Sequence, residues 1–160
     1  MLKKSQSGFT IIELMIVVVM IGIFVGLAVA DLSGHSDRLK LKSQARDILS
    51  YLRLARSLAV SNRTPHGVFF DENDRKFILF QDKVDLSDNT YDVGDSLIYS
   101  EDLKTVVGYG TCSFPNNAVV FQADGSASSS GSIGLSSLTT DWSLVVDVLA
   151  STGRVRLAES

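Results

Sequence analysis

A single carboxylate stands at the edge of the most apolar part of the sequence. Glu13 directly precedes 17 residues without a charge, Leu14–Ala30, and Phe9 lies four residues before it. A carboxylate inside a membrane costs about 2–3 kcal/mol at the centre of a helix. Glu13 can therefore be an interfacial residue that reaches water, or it can pair with a positive charge on a neighbouring molecule, which offsets the cost of its burial.

A cut between Gly8 and Phe9 would create such a positive charge. The new amino group would lie four residues before Glu13, about one helical turn away, so the amine of one subunit could meet the carboxylate of the next. Ala28-Val29-Ala30 offers another interpretation, as the small-residue cleavage site of a secretory signal. The apolar run is longer than the core of an ordinary signal, and Glu13 adjoins it, which favours a helix that is retained.

A second candidate site is a pair of arginines near the end of the sequence. Arg154 and Arg156 are two residues apart on a predicted strand, so they point to one face, while Val155 and Leu157 point to the other. The simplest interpretation is a surface or edge strand with solvated arginines. The alternative is phosphate binding, for which paired guanidinium groups are suited, and hence contact with a nucleic acid.

The sequence lacks a catalytic or metal-binding constellation. The single cysteine, Cys112, excludes an internal disulfide and a thiolate metal cage, and His35 and His66 lack the spacing of ligands. Aspartates recur between Asp82 and Asp95, but the ligand order of an EF-hand is absent, so this segment is interpreted as a solvated loop. We therefore expect no catalysis, no cofactor and no metal. A membrane-tethered enzyme or sensor domain is the alternative of another class.

The N-terminal segment has the length of a membrane anchor. Phe9–Ala30 comprises 22 residues, which as a helix measure roughly 33 Å and can cross the hydrocarbon core. Lys3 and Lys4 precede it, so the N-terminus stays in the cytoplasm by the positive-inside bias and the rest is exported. The formal net charge is −3, or −5 once these two lysines are removed, and it opposes the binding of a polyanion.

The next segment has the pattern of an amphipathic helix. Leu49 and Leu58 widen its apolar stripe, and four arginines fall mainly off it. Pro65 disfavours the helical conformation at Thr64, so the helix ends within Asn62–Pro65. The stripe itself recurs at intervals of four and three residues and consists of Leu41, Ala45, Ile48, Leu52, Ala55 and Ala59.

The remaining sequence predicts antiparallel strands joined by polar turns. The serine-rich stretch Ser126–Ser132 is expected to be a flexible loop or the tip of a hairpin. Two strand pairs are predicted as hairpins, one at each end of this region. The predicted strands are His66–Asp71, Lys76–Gln81, Leu97–Ser100, Thr105–Tyr109, Ala118–Gln122, Trp142–Leu149 and Arg154–Leu157.

The N-terminal pattern resembles that of type IV pilins and type II secretion pseudopilins. It combines a short basic leader, glycine at the cut, phenylalanine after it, and glutamate as the fifth residue of the mature chain. The resemblance implies that a prepilin peptidase cuts after Gly8 and N-methylates Phe9. It also implies that the apolar helix is kept and that Glu13 serves assembly.

Later parts of the sequence resemble the GspH/FimT group of minor pilins and pseudopilins. The resemblance rests on Ala55-Arg56-Ser57-Leu58-Ala59 in the helix, on "VVFQADGSASSSGSIGL", and on "GRVRL" near the end. Some FimT-like minor pilins of competence systems bind DNA through a C-terminal Gly-Arg-x-Arg motif, which Gly153, Arg154 and Arg156 match. The same residues occur in relatives that serve secretion, so this alternative stays open.

These observations predict an α+β, pilin-like fold, in which a long N-terminal helix with a transmembrane half and an amphipathic half packs on an antiparallel β-sheet. We expect a leader at 1–8, a transmembrane and assembly helix at 9–30, and a periplasmic globular domain at 31–160. That domain comprises the amphipathic helix, 31–63, and the sheet, 66–157.

The resemblance also implies partners and a location. The expected partners are other pilins or pseudopilins, the prepilin peptidase, the inner-membrane assembly platform and the membrane itself, with DNA as the alternative partner. The chain is expected to span the bacterial inner membrane once and then to enter a type II secretion pseudopilus or a type IV pilus, at or near the tip. The sequence does not choose between these two filaments.

Overall fold

The computed structural model describes residues 8–85 and 89–159, with the backbone alone for 27–35 and 159. The chain divides into two compact units, Met1–Ser36 and Asp37–Ser160. The predicted leader lies outside the described residues except for its last residue, and so do residues 86–88 of the predicted loop.

Helix α1, Ile11–Asn62, contains residues of both units. It begins two residues after the predicted start and ends where Arg63 adopts a left-handed φ of 54°, within the predicted stop at Asn62–Pro65. The predicted membrane segment ends among the residues described by backbone alone. Within the described part of the chain, no helix is both long enough and apolar enough to cross a membrane.

The apolar stripe of α1 is buried as predicted. Leu41, Ala45, Ile48, Leu52, Ala55 and Ala59 are each 0–1% exposed. Gln44 lies beside them, and its Oε1 accepts a hydrogen bond from the Lys104 amide over 3.1 Å, which offsets part of the cost of burying this amide. Because its apolar stripe is buried, packing against the core stabilises this half of the helix more than intrinsic helix propensity does.

Two four-stranded antiparallel sheets pack with α1 around one core. The first has the order β3-β2-β1-β5 and the second the order β4-β6-β7-β8. Phe70, Phe77 and Phe121 of the first sheet, and Ile133 and Val146 of the second, share this core with the helix. The strands are β1 His66–Asp71, β2 Lys76–Gln81, β3 Ser96–Asp102, β4 Val107–Cys112, β5 Ala118–Phe121, β6 Gly131–Ser137, β7 Ser143–Leu149 and β8 Arg154–Glu159.

The prediction of an α+β fold with a long N-terminal helix and antiparallel β-sheet is confirmed, including both hairpins, β1–β2 and β7–β8. The sequence missed β6, because the predicted flexible loop, Ser126–Ser132, runs into its first two residues. Only Ile133 and Leu135 of β6 are buried, and small residues occupy its other positions. Such a strand has a weak intrinsic preference and forms because β4 and β7 hydrogen-bond to it from both sides.

The segment between β2 and β3 differs from the predicted solvated loop. Asp82 is 3% exposed, and the Asp95 carboxylate accepts backbone hydrogen bonds from Lys83 and Asp92 over 2.8 and 2.9 Å. Tyr91 packs against Phe80 on the outer face of the first sheet, with ring centroids 5.2 Å apart. Asp95 therefore helps to order this segment, because its short side chain satisfies nearby backbone amides.

Candidate functional site

The predicted cleavage site lies immediately before helix α1. Gly8 and Phe9 have no regular secondary structure, and the Phe9 side chain is 78% exposed. A Cβ atom added at Gly8 would meet none of the described residues within 4 Å. The described part of the fold therefore does not itself require glycine at this position.

Thr10 and Glu13 form the first turn of the helix. The Glu13 amide donates a hydrogen bond to Thr10 Oγ1 over 3.3 Å, and the Leu14 amide donates to the Thr10 carbonyl over 3.2 Å. Thr10 is thus the N-cap, a role that the Thr-x-x-Glu spacing of a capping box could have revealed and that the sequence predictions omit. The exposed Glu13 carboxylate also lies where the helix dipole favours a negative charge.

Phe9 and all the large apolar side chains of α1 from Ile11 to Val25 are exposed. Their exposed fractions lie between 46% and 83%, and consecutive positions point to all sides of the helix. Such a surface occurs where lipid or other protein chains cover it. The 14 residues are Phe9, Ile11, Ile12, Leu14, Met15, Ile16, Val17, Val18, Val19, Met20, Ile21, Ile23, Phe24 and Val25.

The predicted arginine pair lies on β8, at an edge of the second sheet. Arg154 and Arg156 are exposed, whereas Val155 between them is buried in the core. Arg156 lies opposite Asp147 of β7, and its Nε donates to the Asp147 carboxylate over 3.2 Å. One of the two positive charges is therefore paired within the fold. The described residues offer the Arg154 guanidinium no hydrogen bond or ion pair.

Gly153 precedes this strand in a left-handed turn. Its φ is 58°, and a Cβ atom added there would lie 2.0 Å from the Gly125 carbonyl oxygen and 2.9 Å from Arg56 Nε. Arg56 Nε donates to the same oxygen over 3.0 Å. The first residue of the Gly-Arg-x-Arg motif therefore has a structural function, because only glycine lets the turn approach the carbonyl that Arg56 holds.

Two separate stretches of sequence, one on α1 and one at the start of β8, line a cleft of about 550 Å³ beside this turn. Three guanidinium groups line it, those of Arg53, Arg56 and Arg154, and no carboxylate is among its described lining residues. We call it the basic cleft. An excess of positive charge in a concave surface attracts anions, and guanidinium groups suit carboxylate or phosphate. The sequence predictions of a binding site include Arg154 but not Arg53 or Arg56. These helix residues come close to Arg154 only through long-range packing, which the sequence pattern does not reveal.

No group of three or more His, Cys, Asp or Glu side chains among the described residues could hold a metal ion. Cys112 is half-buried, and burial raises the pKa of its thiol, so it is protonated near neutral pH and a poor nucleophile. His66 is buried, and its Nδ1 lies 2.7 Å from the Thr64 carbonyl oxygen.

Two family profiles match this chain. The profile described as "Type II transport protein GspH" matches residues 44–152, and the one described as "Prokaryotic N-terminal methylation motif" matches residues 3–29. Type II secretion system protein H of Xanthomonas campestris pv. campestris is 28% identical over 75 residues, 47% of this chain and 44% of that protein. Type II secretion system core protein G of Aeromonas hydrophila is 38% identical over 50 residues, 31% of this chain and 35% of that protein. The chain spans less than half the length of these curated relatives.

Solved structures with the same fold include subunits of two kinds of filament. The minor pseudopilin EpsH from the type 2 secretion system of Vibrio cholerae has a TM-score of 0.59 and 17% identity, covering 75% of this chain and 97% of that one. The type IV minor pilin FimU of Pseudomonas aeruginosa has a TM-score of 0.60 and 18% identity, covering 78% of this chain and 92% of that one. At these identities the likeness concerns the fold.

Proposed function

The chain belongs to the GspH family of type II transport proteins, and from this premise we propose that it is a minor pseudopilin or minor pilin. Its activity is assembly and contact with other pilins or pseudopilins, at or near the tip of a filament. Curated relatives of the type II secretion system and solved structures of both filament types support the proposal. Deleting the gene and assaying secretion and pilus formation separately tells the two filaments apart.

The observation that carries the proposal is the apolar segment within the N-terminal methylation motif. From Phe9 to Val25 every large apolar side chain is exposed, so the isolated chain leaves this surface uncovered. Burying apolar surface stabilises by about 25 cal/mol per Å², which makes lipid or the helices of other subunits favourable partners. Lipid covers this surface while the chain is a membrane anchor, and the helices of other subunits cover it once the chain enters a filament.

The proposed life of the subunit begins with processing. Prepilin peptidase cuts the leader, 1–8, after Gly8 and methylates Phe9, while segment 9–30 spans the inner membrane once and domain 31–160 faces the periplasm. The inner-membrane assembly platform then takes up the mature subunit.

Co-expression with a prepilin peptidase tests this processing. We expect Gly8→Phe to stay uncut, because the peptidase site must fit a residue without a side chain. Gly22→Phe is the matched control, since Gly22 also has open space around it and lies 14 residues beyond Gly8. A Gly8→Phe chain that is cut like the wild type, or a Gly22→Phe chain that stays uncut, would contradict the proposal.

Glu13 is proposed to pair with the N-terminal amine of a neighbouring subunit. Glu13→Gln keeps the size of the side chain and removes its charge, so the variant should insert and be cut but enter the filament poorly. Thr10→Ala is the control, because it removes the N-cap hydrogen bond and leaves the carboxylate in place. Equal loss of incorporation in both variants would show that the first turn of the helix, and not the charge, matters.

Binding of DNA is the second candidate function, and the basic cleft is the observation that favours it. Arg154 lines this cleft with two further arginines, whereas Arg156 is paired with Asp147. We expect weak, sequence-independent binding of duplex DNA at low salt that fades as salt rises. Arg154→Ala should weaken it more than Arg156→Ala does. No gel shift of the wild type at low salt would exclude this function.

A further inference from the structure

Strand β3 is an edge of the first sheet and exposes much of its side-chain surface. It pairs with β2 alone, and Leu97, Ile98 and Tyr99 are 40–54% exposed. An unpaired edge invites a further strand, which natural proteins discourage with lysine, proline or a bulge. β3 contains neither lysine nor proline, and its one register shift, at Ile98, leaves Tyr99–Asp102 regular. This part of the edge can therefore pair with another strand.

The backbone of β3 offers hydrogen-bonding groups at this edge. In an antiparallel pair, alternate residues bond to the neighbouring strand, and the residues between them turn their N–H and C=O groups away from it. The Leu103 amide donates to the Arg75 carbonyl over 2.7 Å, and Glu101 bonds to β2 by the same alternation. Asp102 and Ser100 therefore turn their backbone groups to the free edge. Among the described residues, no backbone hydrogen bond joins β3 to any element but β2.

Strand β8 is a corresponding edge of the second sheet. It pairs with β7 alone, and at the turn between them the Gly153 amide donates to the Ala150 carbonyl over 3.4 Å. By the same alternation, Arg154 and Arg156 turn their backbone N–H and C=O groups away from β7. In the described part of the chain, no backbone hydrogen bond joins β8 to another element.

The end of β3 carries two carboxylates, those of Glu101 and Asp102. Neither forms an ion pair with a described residue. The lysines beside them, Lys76 and Lys104, are paired with aspartates of other segments. The β3 edge is therefore acidic where its backbone groups are free.

The start of β8, in contrast, adjoins the basic cleft. Arg53 and Arg154 of this cleft form no hydrogen bond or ion pair with a described residue. The aspartates of adjoining segments are engaged elsewhere, since Asp147 pairs with Arg156 and Asp124 is held by hydrogen bonds within its own turn. Unpaired positive charge therefore lies next to the open edge of β8.

We propose that β3 of one copy of the chain adds to β8 of a second copy as an antiparallel strand, with the acidic end of β3 in the basic cleft. Asp102 lies opposite Arg154, and Ser100 lies opposite Arg156. This register joins the residues whose backbone groups point outward on both strands, and it places a carboxylate opposite a guanidinium group. Strand addition of this kind gains its affinity from main-chain hydrogen bonds and its specificity from side chains.

The faces of the two sheets agree in this register. Glu101 lies opposite Phe77, whose side chain is in the core, and Val155 of β8 is in the core as well. Because opposite residues of neighbouring strands share a face, Glu101 points to the side where Arg53 and Arg56 line the cleft. The inference rests on the proposed function and deepens it by naming one contact of the subunit. Two different surfaces meet, so the contact is head-to-tail and can place one copy after another.

Cross-linking between two differently tagged copies of the full-length chain tests this pairing. Both copies carry Cys112→Ser, so that the introduced cysteines are the only thiols. One copy has Ser100→Cys and the other has Arg156→Cys. The two are co-expressed, and their membranes are treated with a short bifunctional thiol reagent. We expect a cross-linked pair with both tags, because Cβ atoms directly opposite on neighbouring strands are about 5 Å apart.

Thr111→Cys, in place of Arg156→Cys, is the matched control. Thr111 is exposed on β4, the other edge of the second sheet, and should give little cross-linking to Ser100→Cys. Association through the apolar helices alone would not distinguish the two positions. Ser100→Cys in both copies tests whether β3 pairs with β3 instead, and it should also give little cross-linking.

Charge reversal separates the acidic contact from simple proximity. Arg154→Asp in the Arg156→Cys copy should remove most of the cross-link, because like charges then lie opposite each other. Asp102→Arg in the Ser100→Cys copy should restore it, since the pair again has opposite signs. A restoring change in the other copy cannot act by repairing the fold of the first. A cross-link that Arg154→Asp leaves unchanged, or a loss that Asp102→Arg does not restore, would overturn the proposed register.

The remaining outcomes are equally decisive. Cross-linking of Ser100→Cys to Arg156→Cys but not to Thr111→Cys supports the proposal. Equal cross-linking at both positions, or none at either, overturns it, as does a stronger cross-link between two Ser100→Cys copies. A cross-link that disappears after nuclease treatment would show that DNA bridges the copies and that the strands do not pair. The proposed function fails separately, if deletion of the gene changes neither secretion nor pilus formation.

Discussion

Replacing Gly153 with alanine is the sharpest test of how the Gly-Arg-x-Arg turn is built. The added Cβ would lie 2.0 Å from the Gly125 carbonyl oxygen, far inside van der Waals contact, and 2.9 Å from Arg56 Nε. Gly153 also has a φ of 58°, which an L-residue adopts only with strain. The turn must therefore shift away from α1, and the hydrogen bond that Arg56 donates to Gly125 is disturbed.

The expected loss in the free energy of unfolding has two parts. The left-handed conformation costs about 1–2 kcal/mol for a residue with a Cβ, and overpacking a close contact costs about 1–3 kcal/mol more. We expect the free energy of unfolding to fall by about 2–5 kcal/mol, and the thermal midpoint of the second unit to fall by about 8–20 °C.

Thermal unfolding followed by Trp142 fluorescence measures this, because the only tryptophan lies in the second unit. Gly110→Ala is the matched control, since a Cβ at Gly110 makes only an ordinary contact, at 3.4 Å. Arg154→Ala should also change the midpoint little, because that side chain is exposed. A Gly153→Ala midpoint within 2 °C of the wild type would refute the structural role of this glycine, given the 8–20 °C expected above.

Three further predictions concern the second unit. Leu52→Ala should lower the free energy of unfolding by about 2–5 kcal/mol, because a fully buried side chain leaves a cavity; a loss below 1 kcal/mol would place this side chain outside the core. In urea unfolding, Arg56→Ala should lower the free energy of unfolding by about 1–2 kcal/mol, because Arg56 donates a hydrogen bond to the Gly125 carbonyl. Arg53→Ala should change it hardly at all. Equal losses of stability in the two variants would contradict the importance of that hydrogen bond. The Thr139 hydroxyl, and then Lys40, lower the pKa of Asp37 below its ordinary value of 3.8, so this carboxylate stabilises the fold above pH 3.8 and the contribution is lost as the pH falls further. The stability difference between wild type and Asp37→Asn should therefore shrink in acid, and a difference that grows there would contradict the direction of the shift.

Periodicity was sufficient to predict the parts of the fold that depend on local pattern. The apolar stripe of α1 recurs at helical spacing, and all six of its members are buried. The hairpins β1–β2 and β7–β8 each consist of short, mainly apolar runs on either side of a polar turn, so their strands were predicted with nearly correct bounds. Strand β6 was not predicted, because small residues outnumber apolar ones in it and its neighbours stabilise it from both sides.

The candidate sites likewise divide into those that a local sequence pattern reveals and those that depend on long-range packing. The Thr-x-x-Glu cap at Thr10 is a local signal, and the sequence alone contains it. The basic cleft is not local, since Arg56 and Arg154, which both line it, lie on α1 and β8, far apart in the sequence. The pairing of Arg156 with Asp147 depends on the register of β7 and β8, which the turn between them sets and which spacing alone does not reveal.

The central claim is that the chain is cut after Gly8 and that the mature protein keeps the apolar helix. The most direct measurement is the intact mass of the protein purified from its own membranes, with sequencing of its N-terminal peptide. The account predicts a chain that begins at N-methylated Phe9 and includes the whole of Leu14–Ala30. A mature chain that begins after Ala30, or one that keeps the leader with Lys3 and Lys4, would contradict it.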